Sequence, residues 1–229
     1  MRSFPTILTA VAALLLSAGT ALAADRPVLT IYTYDSFASE WGPGPAVEEA
    51  FEEGCDCDLQ FVALDSSIGI LGRVQLEGSS SKADIVLGLD TNLMATARET
   101  GLFAPHGTTL DGRTSLPVDF ADDMFVPFDW GHFAFVYNSE TMAAAPSSMQ
   151  ALIDSPDDLR IVIQDPRTST PGLGLLLWVK SVYGDKAPEA WAKLAPKIVT
   201  VTKGWWDAYS MFLEGEADMV LSYSTSPAY

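Results

Sequence analysis

Apolar residues in the first half of the chain recur in two alternating patterns. Blocks rich in β-branched and aromatic residues predict strands, and blocks with apolar residues every three to four positions predict helices. The predicted strands lie at 28–34, 59–64 and 83–88, and the predicted helices at 46–53, 68–76 and 93–100. Regular alternation of strands and helices is typical of an α/β domain with a largely parallel sheet.

A second set of elements follows an aromatic segment at 125–137, which Pro127 and Gly131 interrupt. We interpret this segment as one or two strands that cross between two lobes. Beyond it the pattern predicts strands at 161–163, 198–202 and 219–223 and helices at 149–154, 171–183, 188–194 and 205–214. We therefore expect a first α/β lobe at 24–124 and a second at 125–229.

Acidic residues follow three of the predicted strands. Asp35 comes after the first strand, Asp65 after the second and Asp90 after the third. Ligands of open α/β sheets bind beyond the carboxyl ends of the strands. These loops are therefore the expected location of a binding site.

One turn, at 164–172, joins an apolar strand to an apolar helix. Ser169 or Thr170 is a good helix N-cap, and Pro171 suits the first helical position. Free N–H groups and the helix dipole at such a start favour an anionic or polar ligand group. An ordinary, well-capped turn explains this local sequence equally well.

The first 23 residues have the pattern of a cleavable secretory signal peptide. Arg2 provides a positive start, residues 7–16 form an apolar run, and Ala21-Leu22-Ala23 is a small-x-small cleavage site. The apolar run is shorter than the roughly 20 residues that a membrane span needs. We expect cleavage after Ala23 and export of a soluble protein.

The composition limits the kinds of partner. A net charge of −17 in 229 residues opposes binding to nucleic acid or to an anionic membrane surface. It favours a cationic ligand, although many exported proteins are acidic for solubility alone.

The two cysteines, Cys55 and Cys57, are candidates for a short disulfide in an oxidising compartment. A free pair and a metal site are the alternatives. The metal site is the weakest of the three, because no nearby His or Cys completes a tetrahedral shell.

Patterns typical of enzymes are weak, and we expect a protein without catalytic or metal-binding residues. His106 lies in a Pro/Gly-rich loop, and His132 lies among aromatic residues. The segment 79–82 satisfies Ser-x-x-Lys but lacks the motifs that accompany it in enzymes. An exported hydrolase that uses His132 is an alternative from a different functional class.

Aromatic residues at strand ends and helix starts are more informative. Together with the acidic residues after the strands they suit a flat cationic ligand, because aromatic faces attract cations by about 0.5–2 kcal/mol each. These aromatic residues are Tyr34, Trp41, Trp205, Trp206, Tyr223 and Tyr229.

Six segments together resemble the periplasmic thiamine-binding proteins of bacterial thiamine importers. They lie in the expected order at 32–37, 41–45, 83–90, 164–172, 202–205 and 221–229. The resemblance extends from about residue 27 to the last residue. Several long motifs in order make it far more specific than any one of them.

The resemblance implies an α/β fold of the two-lobed periplasmic binding protein type (type II-like). The implied ligand is thiamine, thiamine monophosphate or thiamine diphosphate, delivered by a monomer to the membrane permease of an ABC importer. No cofactor is implied. The ligand-binding residues that the resemblance implies are Tyr34, Trp41, Asp65, Ser66, Ser169, Thr170, Trp205, Tyr223 and Tyr229.

The sequence departs from the family pattern in two places. The position that would carry the ligand-binding carboxylate is Ser66, so Asp65 is expected to take its role unless that role is lost. The family continues past Tyr229, so we expect a C-terminally truncated chain.

Two other ligands fit the same scaffold. A ferric-ion binder would use paired tyrosines, for which Tyr223 and Tyr229 are the candidates, and an acidic aromatic cleft would also suit a polyamine.

Overall fold

The computed structural model describes residues 26–109 and 116–228. The predicted signal peptide and the candidate ligand residue Tyr229 lie outside the described residues. The regular elements form two separate sheets, one from each half of the chain. The predicted α/β class is confirmed.

The first sheet is entirely parallel and has the strand order β2-β1-β3. Its strands are β1 (Val28–Tyr34), β2 (Asp58–Leu64) and β3 (Ile85–Val86), and the accompanying helices are α1 (Asp35–Ala38), α2 (Gly44–Gly54), α3 (Ser67–Glu77) and α4 (Met94–Glu99). Tyr32 of β1 packs against Ile70 and Val74 of α3. This contact covers one face of the sheet, as the apolar stripe of the helix predicts.

The third strand is shorter than predicted. The sequence predicts a strand over 83–88, but only Ile85–Val86 form it. Flanking backbone bonds continue the pairing, because Asp84 N–H donates to Thr30 O at 2.9 Å and Leu87 N–H donates to Tyr32 O at 2.9 Å. Gly88 then has a φ of 101°, which ends the extended conformation.

The second sheet has the order β4-β7-β5-β6, in which β4 is antiparallel to β7 and the other pairs are parallel. Its strands are β4 (Phe133–Tyr137), β5 (Ile161–Gln164), β6 (Ile198–Thr202) and β7 (Met219–Tyr223), and its helices are α5 (Met149–Ile153), α6 (Thr170–Tyr183), α7 (Ala187–Leu194) and α8 (Trp205–Leu213). The four residues of β5 are all buried. The three apolar residues at 161–163 are typical of a strand covered on both faces, and the polar Gln164 ends the run.

The predicted crossing segment contains one strand rather than two. Residues 125–132 form neither helix nor strand, and only β4 is regular. The elements of the two sheets fall within the predicted ranges 24–124 and 125–229, whose boundaries stay a prediction.

Two smaller features complete the description of the fold. Cys55 and Cys57 are joined by a disulfide, with their Cα atoms 5.3 Å apart. Within residues 26–109 and 116–228, none of the helices has both the length and the apolar character that a membrane crossing requires.

Removal of a core side chain tests the packing of the second sheet. Leu175 on α6 is 1% exposed and belongs to the main apolar cluster, whereas Leu177 on the same helix is 50% exposed. Leu175→Ala should lower the free energy of unfolding by about 2–5 kcal/mol, because it leaves a cavity. Leu177→Ala should change it by less than about 0.5 kcal/mol. Urea denaturation followed by circular dichroism measures both, and equal losses would contradict the assigned packing.

Candidate functional site

The loops at the carboxyl ends of the parallel strands of the two sheets meet. Asp65 after β2 pairs with Lys203 after β6. Thr170 Oγ1 at the start of α6 donates to Asp90 Oδ2 at 2.6 Å and lies 3.3 Å from Ser67 Oγ. We call the region bounded by these contacts the inter-lobe cleft. It lies where ligands bind in open α/β folds.

Three tryptophans from the two halves of the chain gather at the cleft. The Trp41 ring centroid lies 4.9 Å from that of Trp206 and 6.3 Å from that of Trp205. Trp41 and Trp206 are 45% and 37% exposed. Their exposed area leaves room for a flat ligand to contact an aromatic face.

Trp205 is held more firmly than its neighbours. Its Nε1–H donates to Ser222 Oγ at 2.7 Å, and its ring stacks on Tyr209 with 4.9 Å between centroids. It also packs against the smaller apolar cluster of the second sheet. Trp205 therefore has a structural role in addition to its predicted contact with ligand.

Asp65 provides a carboxylate at the cleft. One of its oxygens accepts a hydrogen bond from Ser66 Oγ at 3.2 Å, and the other accepts one from the Lys203 ammonium. The hydrogen bond from Lys203 is the main cause that lowers the pKa of Asp65. This carboxylate is therefore charged at neutral pH.

Ser66 has a clear local role. Its hydroxyl accepts from Gly69 N–H at 3.1 Å and caps helix α3. Ser66 is buried, so its hydroxyl serves the helix, while Asp65 carries the nearby charge. Direct ligand contact by Ser66 stays a prediction.

A second carboxylate, that of Asp35, lies near Asp65 and Asp207. Burial raises the pKa of Asp35, and the negative charges of Asp207 and Asp65 add to that rise. Asp35, after β1, therefore lies close enough to Asp65, after β2, for the two carboxylates to repel each other. A cation that entered the cleft would relieve this repulsion.

Tyr223, at the end of β7, lies in a second acidic environment. Burial raises the pKa of its phenol, and the charges of Asp129 and Asp90 together with the nearby Tyr34 raise it further. Burial also raises the pKa of Asp129. The Tyr223 phenol is therefore protonated at neutral pH and available as a hydrogen-bond donor.

Gly88, directly after β3, makes room for the ring of Tyr34. A Cβ at Gly88 would overlap the Tyr34 ring, and its φ of 101° is disfavoured for other residues. The sequence signal for this arrangement is the glycine directly after β3.

The turn at 164–172 differs in part from the prediction. Helix α6 begins at Thr170 rather than Pro171, and Ser169 occupies the N-cap position without a side-chain capping bond. Ser169 is buried, and the Thr170 hydroxyl is engaged by Asp90. A Cβ at Gly172 would meet Gln164 O, so glycine permits the close packing of the helix start on β5.

The predicted site residues thus lie around one cleft, apart from Tyr229, which is not among the described residues. Sequence reasoning missed the contributions of Lys203, Asp207 and Asp129. Lys203 could have been found, because it directly follows β6 just as Asp65 follows β2. Within the described part of the chain, no group of three or more His, Cys, Asp or Glu side chains could hold a metal ion.

A further concave feature lies away from the cleft. A shallow cavity of about 510 Å³ is lined by residues of 141–159 and by Asp218. These residues precede β5 and β7, at the amino ends of those strands. The cavity is therefore at the opposite edge of the second sheet from the cleft.

This chain belongs to the family of bacterial extracellular solute-binding proteins, whose sequence pattern matches residues 40–229. Among individual proteins, it is similar to the thiamine-binding periplasmic protein of Escherichia coli (strain K12), with 57% identity over 204 residues. That match covers 89% of this chain and 62% of the relative. The chain therefore spans less than two thirds of the length of that relative.

Solved structures agree with this assignment. A periplasmic thiamin binding protein superposes with a TM-score of 0.85 at 57% identity, over 89% of this chain and 64% of the other. Iron-bound HitA from Pseudomonas aeruginosa superposes with a TM-score of 0.65 at 20% identity, over 86% and 63% of the two chains, and shows the fold alone. The predicted two-lobed fold and family resemblance are confirmed.

The environment of Tyr223 predicts an alkaline titration. Because the pKa of the folded phenol is raised, its contribution to stability is present below its ordinary value of about 10 and is lost as pH rises above that value. The wild type should lose more stability than Tyr223→Phe between pH 9 and about 11. Urea denaturation across this range tests the difference. Parallel curves for the two proteins would contradict a raised pKa.

Proposed function

We propose that this chain is a periplasmic binding protein that captures thiamine or its phosphates in the inter-lobe cleft. The observation that carries the proposal is 57% identity to a thiamine-binding periplasmic protein across 89% of the chain. In this proposal a signal peptide directs export, and a membrane permease of an ABC importer receives the ligand. The protein acts as a monomer and needs no cofactor.

The aromatic side chains suit the thiamine rings. Thiamine contains a cationic thiazolium and a flat pyrimidine, and both can contact indole faces. The exposed rings of Trp41 and Trp206 provide such faces. A cation over an indole gains about 0.5–2 kcal/mol, depending on how far it is desolvated.

The carboxylates suit the positive charge. Asp65 and the neighbouring Asp35 and Asp207 create a negative potential, and a cation entering between them would reduce their repulsion. Tyr34 at the end of β1 and Tyr223 at the end of β7 would also line this cleft. We assign the neutralising role to Asp65, since it is ionised and half exposed.

The start of α6 suits a hydroxyl or phosphate group. Ser169 and Thr170 lie at the helix N-terminus, where unpaired N–H groups and the dipole favour negative charge. Thiamine ends in a hydroxyethyl group that carries the phosphates in the phosphorylated forms. The helix start would therefore hold the hydroxyl or phosphate end through its N–H groups, next to the Asp90 carboxylate that accepts from Thr170 Oγ1.

The alternatives receive less support. Ferric-ion binding needs a deprotonated tyrosine. Burial and nearby carboxylates raise the pKa of Tyr223, which disfavours that form. A hydrolase would need His132 as a base. The His132 ring instead packs edge-on against Trp130, with 5.3 Å between centroids. A polyamine shares the positive charge of thiamine but lacks its rings.

A fluorescence titration tests the ligand class. Thiamine should quench the tryptophan emission of the 229-residue chain saturably at micromolar or lower concentration, because its charged ring would contact indoles. Spermidine should produce little quenching, since it cannot stack. Saturation by spermidine alone would favour a polyamine, and a visible charge-transfer band with ferric salt would favour iron.

Asp65→Asn tests the assigned carboxylate. The substitution keeps the shape of the side chain and removes its charge. It should weaken thiamine binding about 5- to 30-fold, which corresponds to about 1–2 kcal/mol for a partly exposed charge pair. Asp154→Asn is the control, because Asp154 also pairs with an exposed lysine, Lys193, outside the cleft. Equal affinities for the two variants would remove Asp65 from the site.

A further inference from the structure

Lys203 is fixed by its backbone next to the start of α6. Its carbonyl oxygen accepts from Thr168 Oγ1 at 2.7 Å. The preceding residue is held as well, because Asp165 N–H donates to Thr202 O at 2.8 Å. The backbone of Lys203 is therefore tied to the same turn that leads into the proposed phosphate-binding helix.

The side chain of Lys203 crosses the cleft. Its ammonium pairs with Asp65, which belongs to the other sheet. The next residue permits this close approach, since a Cβ at Gly204 would make a tight contact of 3.1 Å with Asp65 O. Among the ion pairs of residues 26–109 and 116–228, this is the one that joins the two sheets.

This pair can be exchanged for a ligand. The Lys203 and Asp65 side chains are 64% and 48% exposed. Exposed ion pairs contribute little to stability, because water competes for both partners. A cation from solution can therefore displace the ammonium from Asp65 at a small cost.

The displaced ammonium affects differently charged ligands in opposite ways. A cationic ring must compete with Lys203 for the Asp65 carboxylate and is repelled by the ammonium. A phosphate at the start of α6 is attracted by the same ammonium, which gains a new partner when the ring takes Asp65. Lys203 thus weakens the binding of a positively charged group and strengthens the binding of a negatively charged one.

We propose that Lys203 determines selectivity between thiamine and thiamine diphosphate, acting as an internal competitor for Asp65 and as a counter-charge for the phosphates. The inference rests on the proposed function, because it needs thiamine compounds to occupy the cleft. It adds a residue that sets the preference among the phosphorylated forms.

Isothermal titration calorimetry at fixed ionic strength tests this role with both compounds. Lys203→Met retains most of the aliphatic length and removes the charge. Thiamine should bind about two- to fivefold more tightly to this variant, as expected from the loss of an exposed competing pair. Thiamine diphosphate should bind about fivefold more weakly or worse, because a charge-assisted contact is lost.

Two further variants complete the experiment. Lys193→Met is the matched control, since Lys193 is 61% exposed and pairs with Asp154, which is 52% exposed, outside the cleft. It should leave both affinities unchanged. Lys203→Arg retains the charge and should restore most of the wild-type ratio of the two dissociation constants.

The outcomes separate this inference from the function on which it rests. If the wild type binds neither compound, the proposed function fails and the role of Lys203 falls with it. If the wild type binds and Lys203→Met shifts both affinities by the same factor, or shifts neither, only the inference on Lys203 is overturned. Opposite shifts for the two compounds support it.

Discussion

The ion pair between Asp65 and Lys203, in a cleft with further carboxylates nearby, is the interaction on which the account of the cleft depends. Asp35 lies near Asp65 and Asp207, and its pKa is raised by burial first and then by the charges of Asp207 and Asp65. A cation placed between such charges lowers their repulsion. Lys203 supplies one from within the chain, and a positively charged ligand supplies another from solution. The negative charge of the cleft therefore favours the binding of a cation.

The fold produces this arrangement through strand direction. In both sheets the carboxyl ends of the parallel strands point to the same region, so short loops after β2 and β6 deliver Asp65 and Lys203 to each other. The buried strands and apolar helices behind them fix the positions of those loops. Trp205 belongs partly to that support, since it bonds to Ser222, whereas Trp41 keeps an exposed face.

Local sequence patterns predicted most of the helices and strands, because the spacing of apolar residues and helix capping involve residues close together in the chain. The helix at 67–77 and the strand at 219–223 appear almost as expected. The apolar pattern over 83–88 predicted a longer strand than β3. The positive φ of Gly88 ends the strand, and the apolar pattern does not record this change of backbone conformation. The bond of Lys203 to Asp65 was not predicted, since it joins residues 138 positions apart. Contacts of this kind depend on how two lobes dock, which no local pattern records.

The most direct test is a crystal structure of the protein with thiamine bound. In that complex the thiazolium should lie within about 6 Å of the ring centroid of Trp41 or Trp206. Asp65 should face the ligand, and the Lys203 ammonium should have left this carboxylate. A thiamine molecule bound elsewhere, for example in the cavity lined by residues of 141–159, would show that the cleft is not the binding site. A ligand in the cleft beside an unbroken pair of Lys203 and Asp65 would show that the ligand does not displace Lys203 from Asp65.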